Sequence, residues 1–307
     1  MRRLREEVAS LRDMVRRLER GAPSDRRQAG ADGREGPADR AVSTMRRGDV
    51  VPFDGFTEER VRVPLVELLP DDELERLNRL LPWAAFVVDQ RGRRFGNAWS
   101  SNKRNVPQPV PDPRIVDLDR RWPLETRTVL EIGCFEGIHT VALAQRAARV
   151  TAIDSRIENV VKTIVRCAMF GLHPSVVRWD VESPAPSILD GPWDVVHHVG
   201  VLYHLTDPVG HLHRISGLAR EAIMLDGHVA PEGSADSEYR SGGRSYRFHR
   251  YREGGRDEPF AGMADHAKWL LLEDVKGVLS DCGFTTIDVA SHHMERNGPR
   301  VLIYASR

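Results

Sequence analysis

Three carboxylates stand where a ligand would find them: Glu131, Asp154 and Asp180. Each closes a short apolar run that reads as a β-strand, namely Thr128 to Ile132, Val150 to Asp154 and Val176 to Asp180. Between the first two lies Glu131-Ile-Gly-Cys-Phe-Glu-Gly137, where Gly133 and Gly137 let the backbone turn sharply and come close to a ligand. A carboxylate 23 residues beyond Glu131, at the end of the second strand, is placed to accept hydrogen bonds from both hydroxyls of a ribose. Glu131 is placed to hold an amino group, and Asp180 the exocyclic amino group of a base. The spacing is not that of a G-x-G-x-x-G dinucleotide loop, so no close pyrophosphate cradle is read here. A second group of chemistry-bearing residues follows a fourth strand, Trp193 to Val199, in Gly200-Val-Leu-Tyr-His204. His204 suits a general base, a usual role of histidine in proton transfer, and Tyr203 suits the lining of a pocket. The competing reading is that both brace the loop against the next helix.

The elements needed to position these residues alternate between strand and helix. Helical patterns run from Gly137 to Ala147, Ile157 to Phe170, Pro208 to Leu218 and Leu270 to Leu279. A fifth strand is read at Ala222 to Leu225, and two more, Thr286 to Ala290 and Val301 to Tyr304, flank the hairpin signal Asn297-Gly298. This order predicts an α/β fold with a doubly wound, mostly parallel seven-stranded sheet whose last strand is antiparallel. A ligand on such a sheet binds at the carboxyl ends of the strands.

The segment Glu131 to Gly137 resembles motif I of the class I S-adenosylmethionine-dependent methyltransferases, with Phe135 at the position usually held by a middle glycine. Gly133 to Thr140 and Gly200 to His204 together resemble a narrower group. That group includes the tRNA wobble-uridine carboxymethyl transferases and many small-molecule methyltransferases. The resemblance covers about residues 126–307. It implies a Rossmann-like methyltransferase fold, S-adenosyl-L-methionine as cofactor, and cofactor contacts at Glu131, Gly133, Cys134, Gly137, Asp154, Ser155, Asp180, Val181, Val199 and Gly200.

Upstream, residues 1–20 place Leu4, Val8, Leu11, Val15 and Leu18 at coiled-coil spacing. They read either as an oligomerising helix or as an amphipathic helix with a solvated Arg/Glu face. Residues 21–50, poor in large apolar groups, read as a flexible linker. Residues 51–125 read as a cap over the mouth of the next domain: a helix from Leu65 to Leu81, a strand and turn from Phe86 to Gly92, and an extended stretch through Pro107, Pro109, Pro111 and Pro113. Residues 230–268 form an irregular insertion in which Tyr239, Tyr246 and Tyr251 interleave with arginines. Lys103, Arg104, Tyr246, Arg247 and Trp269 are the expected acceptor contacts, with arginine suited to anionic or polyhydroxylated groups.

The 307 residues carry 45 basic and 45 acidic side chains, so no global field draws the chain to nucleic acid or to a membrane. No apolar run spans a bilayer and no secretory signal precedes the fold, from which a cytoplasmic location is expected. Three widely spaced cysteines offer neither a disulfide framework nor a zinc site, and His197 and His198 point to opposite sheet faces; no metal is expected. The expected activity is methyl transfer to an O or N atom of a small molecule such as a sugar, glycan end or natural-product intermediate. Wobble-uridine carboxymethylation of tRNA, with nucleic acid as partner, is the first alternative. A non-catalytic assembly protein, forming a homo-oligomer through its N-terminal helix, is the second.

Overall fold

The protein is described by a computed structural model that covers residues 69–98, 106–189 and 191–307. The expected N-terminal helix and linker, Lys103 and Arg104 lie outside the described residues.

A seven-stranded sheet dominates. In chain order its strands are β3 (Thr128–Ile132), β4 (Arg149–Asp154), β5 (Ser175–Arg178), β6 (Trp193–Val199), β7 (Ala219–His228), β11 (Thr286–Glu295) and β12 (Gly298–Ser306). Their spatial order is β11-β12-β7-β6-β3-β4-β5. β3 pairs in parallel with β4 and β6, β4 with β5, and β6 with β7. β12 alone runs antiparallel, against β7 on one side and β11 on the other, as the hairpin signal at Asn297-Gly298 predicts.

The sheet is apolar on both faces because consecutive residues point to opposite sides. Leu130, Val196, Ile223 and Ile303 enter one core with α5 (Pro208–Leu218) and α6 (Leu272–Asp281). Val129, Val195, Met224 and Tyr304 enter the other, with α3 (Ile138–Ala144) and α4 (Ile157–Met169). Full burial of each such side chain contributes about 1.5–3 kcal/mol. These opposing cores fix the register, and the register brings the ends of β3, β4 and β6 to one edge.

The region before β3 packs on the second core. It holds α1 (Asp71–Leu80), the hairpin of β1 (Phe86–Val88) and β2 (Arg94–Gly96), and α2 (Pro113–Arg121). α2 departs from the extended stretch expected there. Only Pro107 to Pro111 stays irregular; Pro113 occupies the first helical turn, where its missing N–H costs nothing, and Asp112 caps the helix by accepting from Arg114 N.

Residues 230–268 are not irregular either. β8 (Ser237–Ser241), β9 (Arg244–Arg252) and β10 (His266–Leu270) form an antiparallel three-stranded sheet. Along the first half of β9 the aromatics Tyr246 and Phe248 are buried while Ser245 and Arg247 are exposed. The interleaving of rings and cations is the period of a half-buried strand.

Candidate functional site

A cavity of about 280 Å³ opens over the carboxyl ends of β3, β4 and β6. Its floor is the loop after β3. Gly133 and Gly137 both take positive φ, 76° and 80°, and a Cβ at Gly133 would meet Val201 Cγ2 at 2.4 Å. Phe135 also takes positive φ, 50°, which is the conformation a glycine would adopt without strain. Its N–H donates to Asp154 Oδ2 at 3.0 Å, its carbonyl accepts from Thr163 Oγ1 at 3.1 Å, and its ring packs 5.2 Å from that of Phe260.

Eleven of the twelve residues assigned to cofactor or catalysis line this cavity: Glu131, Gly133, Cys134, Asp154, Ser155, Asp180, Val181, Val199, Gly200, Tyr203 and His204. Gly137 does not. It starts α3 with its Cα against Thr163, where a Cβ would come within 2.9 Å of Thr163 Cα. Its role is to seat α3 on α4. Asp180 lies two residues beyond β5 rather than at its end, in a turn where its Oδ1 accepts from Glu182 N.

The expected acceptor residues stand elsewhere. Tyr246 is packed in the main core. Arg247 turns back onto Ala235 O. Trp269 is 2 % exposed and sits behind the cavity wall, its indole N–H donating to Tyr203 O at 2.8 Å and its ring stacked between His228 and Tyr251. Aromatic residues in the insertion were needed for its core, and that consumed them.

The cavity instead recruits polar groups the sequence pattern does not single out. Asp112 and Arg114 come from the start of α2, and Arg300 from β12. Asp226 Oδ1 joins the two arginines: Arg114 Nη1 lies 3.0 Å away and Arg300 Nε donates at 2.7 Å. Burial alone would raise the Asp112 carboxyl, but bonds from Arg114 and His139 hold it far below the usual carboxylate range.

Deeper, Glu131, His139 and His197 each offer one ligand atom, all within 4.8 Å of one another. Glu131 is 1 % exposed and accepts from Thr140 Oγ1 at 2.6 Å; burial, then the nearby Asp154 charge, pushes its pKa up to about 8. Burial holds the His197 pKa well below its ordinary value, with His139 and Arg114 adding to the effect. Neither ring nitrogen of His197 has a hydrogen-bond partner among the described residues. His198, on the opposite face, pairs with His211 at 2.9 Å and takes no part.

His204 closes a short 3-10 turn, Leu202–His204. Its Nδ1 lies 2.7 Å from Glu253 Oε1, a residue 49 positions away that no local pattern connects to it. Over the cavity runs the loop 254–263. Arg156, next to Asp154 in the chain but one, reaches the carbonyls of Gly255, Arg256, Glu258, Ala261 and Gly262 at 2.9 to 3.4 Å.

Residues 129–221 match the family described as a methyltransferase domain. Over that stretch the chain is similar to methyltransferase domains. The N-terminal domain of EvdMO1, crystallised in the presence of SAH and D-fucose, superposes with a TM-score of 0.64 at 22 % identity, covering 78 % of this chain and 98 % of that one. It shares the methyltransferase fold. In sequence, the domain is similar to the tRNA U34 carboxymethyltransferases of Haemophilus ducreyi, at 24 % identity over 56 % of this chain, and of Shewanella pealeana, at 28 % over 58 %. The chain spans about half the length of these curated relatives, 54 % of each. No helix among the described residues is long and apolar enough to cross a membrane.

Proposed function

We propose that the chain transfers the methyl group of S-adenosylmethionine to a hydroxyl of a small polyhydroxylated molecule. The observation that carries this reading is one cavity wall shared by the acids Glu131, Asp154 and Asp180 and by the Tyr203–His204 turn.

The residues present fit the cofactor. Glu131, His139 and His197 supply three acceptors for the three protons of an ammonium group, which gives one of the two unpartnered ring nitrogens of His197 a use. Asp154 uses one lone pair on Oδ2 for Phe135 N and two contacts on Oδ1 for Arg156 N and Asn159. Those donors fix the carboxylate and leave Oδ2 one lone pair for a ribose hydroxyl. Asp180 is left for the adenine amino group. When bound, the sulfonium supplies an electrophilic methyl group and a good leaving group. The chain's own part is to hold the acceptor oxygen in line, to exclude water beneath the 254–263 loop, and to remove one proton.

A sugar or similar polyol suits the acceptor side. Asp112, Arg114 and Arg300, with Asp226 joining the two arginines, offer donors and acceptors fixed by mutual ion pairs, and the four together recognise hydroxyls without presenting a net charge. The D-fucose in the EvdMO1 crystals supports the same class. The sequence relatives favour a second reading, transfer of a carboxymethyl group to tRNA. That cofactor brings an extra carboxylate, whereas Arg114 and Arg300 are already paired with Asp226 and Arg156 is engaged with the carbonyls of the 254–263 loop. Calorimetry with S-adenosylhomocysteine, followed by a methyl-labelled transfer assay on D-fucose and related sugars, tests the first reading. Absence of S-adenosylhomocysteine binding overturns it, and mass spectrometry finding a carboxylated cofactor co-purified favours the second.

A further inference from the structure

We propose that Glu253 is a positioning residue that sets the tautomer of His204, so that Nε2 of His204 takes the proton from the acceptor hydroxyl. The inference rests on the methyl-transfer reading above. It assigns the insertion its part in the reaction.

Three observations converge. Glu253 is 7 % exposed, so its charge is compensated within the fold rather than by solvent. One carboxylate oxygen, Oε1, lies 2.7 Å from His204 Nδ1; the other, Oε2, accepts from Gly262 N at 2.9 Å. An ionised carboxylate has no proton to give, so the shared hydrogen belongs to Nδ1, and the lone pair is left on Nε2. The backbone is fixed as tightly as the side chain. Glu253 N donates to Asp265 O at 2.9 Å, and Gly262 lies so close that a Cβ there would meet His204 O at 2.4 Å. The His204 side chain keeps 19 % exposure and lines the cavity beside Tyr203, whose ring centroid is 4.2 Å away.

The step balances without a further reagent. The acceptor O–H bond breaks as the new O–CH3 bond forms, and the proton passes to His204 Nε2. The electron pair of the S–CH3 bond stays on sulfur, leaving a neutral thioether. The resulting imidazolium faces the Glu253 carboxylate, which stabilises it until the proton leaves to solvent.

The substitution Glu253→Gln separates this role from a merely structural one. Gly262 N–H requires an oxygen at the Oε2 position. The amide nitrogen of the glutamine therefore falls opposite His204 Nδ1, donates to it, and forces the proton onto Nε2. Long-range nitrogen–proton NMR on the full chain saturated with S-adenosylhomocysteine reads the tautomer directly. The Nδ1–H form is expected in the native protein and the Nε2–H form in Glu253→Gln, with Glu253→Asp keeping the native form in part. The native protein in the Nε2–H form, or a tautomer unchanged by Glu253→Gln, overturns the inference. Turnover of D-fucose gives the second readout: kcat falls by about 100-fold in Glu253→Gln, KM stays within about twofold, and the affinity for S-adenosylhomocysteine is unchanged. A full native kcat in a folded Glu253→Gln protein also overturns it. Failure of the native protein to bind S-adenosylhomocysteine overturns the methyl-transfer reading instead. If the native protein binds it but leaves D-fucose unmethylated, the sugar assignment fails and the tautomer alone decides the inference.

Discussion

The carboxylate of Glu136 lies 2.8 Å from Lys162 Nζ, with both side chains shut off from solvent. The same carboxylate accepts from Ala84 N and Ala85 N at 2.7 and 3.0 Å. One residue of the loop after β3 thereby ties the strand hairpin upstream to α4. Arg166, fully buried, completes the joint by donating to Glu136 O and Phe95 O, its guanidinium lying 4.6 Å over the rings of Trp83 and Phe95.

Glu136→Ala should therefore be strongly destabilising. It leaves Lys162 and two backbone N–H groups buried without a partner, and breaking a buried pair from one side costs about 3–5 kcal/mol. Chemical denaturation should show a loss of that size. A loss under about 1 kcal/mol would mean water reaches the joint.

Binding of S-adenosylhomocysteine should release close to one proton at pH 7. In the free protein burial raises the Glu131 pKa to about 8 from 4.5, so the group is mostly protonated at neutral pH. An ammonium group bound beside it favours the carboxylate, which expels the proton; affinity then rises with pH until it levels above about 8. For stability the sign is opposite. The folded state holds this proton more tightly than the unfolded one, so the contribution is full below pH 4.5 and is lost as pH rises through about 8. Calorimetry in buffers of differing ionisation heat measures the release, and Glu131→Gln should abolish it.

Asp154→Asn should weaken S-adenosylhomocysteine binding by about 10- to 100-fold. The hydrogen bond from ribose to a charged acceptor, about 1.5–3 kcal/mol, is weakened to a neutral one or lost. The fold should survive, because an amide oxygen can still accept from the backbone N–H of Arg156 or Phe135. Unchanged affinity in titration calorimetry would remove Asp154 from the cofactor site.

Gly137→Ala should destabilise the protein without touching the cavity. The φ of 80° costs an alanine about 1–2 kcal/mol, and its Cβ would press on the Thr163 backbone at 2.9 Å. The thermal midpoint should fall by several degrees. S-adenosylhomocysteine affinity, measured below that midpoint, should change little.

The sheet was legible because its signals are local. Apolar runs of strand length, glycines at a turn and Asn297-Gly298 report on residues that touch their sequence neighbours. The boundaries of β7, β11 and β12 run further than the apolar runs do, because pairing across the sheet extends strands through polar residues such as Asp226, His292 and Arg300. The grouping of the acids was legible for the same reason: Glu131, Asp154 and the loop between them lie on adjacent elements. The pairings around the rest of the cavity were not. Glu253 meets His204 across 49 residues, and Arg300 meets Asp226 across 74, and no spacing rule spans those distances. Tyr246 and Trp269 misled because an aromatic residue beside a cation looks alike in a binding surface and in the inward face of a small sheet.

Arg156 gathers five carbonyls of the 254–263 loop, and every one is backbone. Such an anchor reads the path of the chain and ignores the identity of the side chains along it. The loop can accept substitutions at Arg256, Asp257 and Glu258 while its course over the cavity stays the same. Shape and composition are thereby uncoupled in the segment over the cavity, and a single guanidinium two residues from Asp154 gives this roof latitude to vary in sequence on a fixed frame.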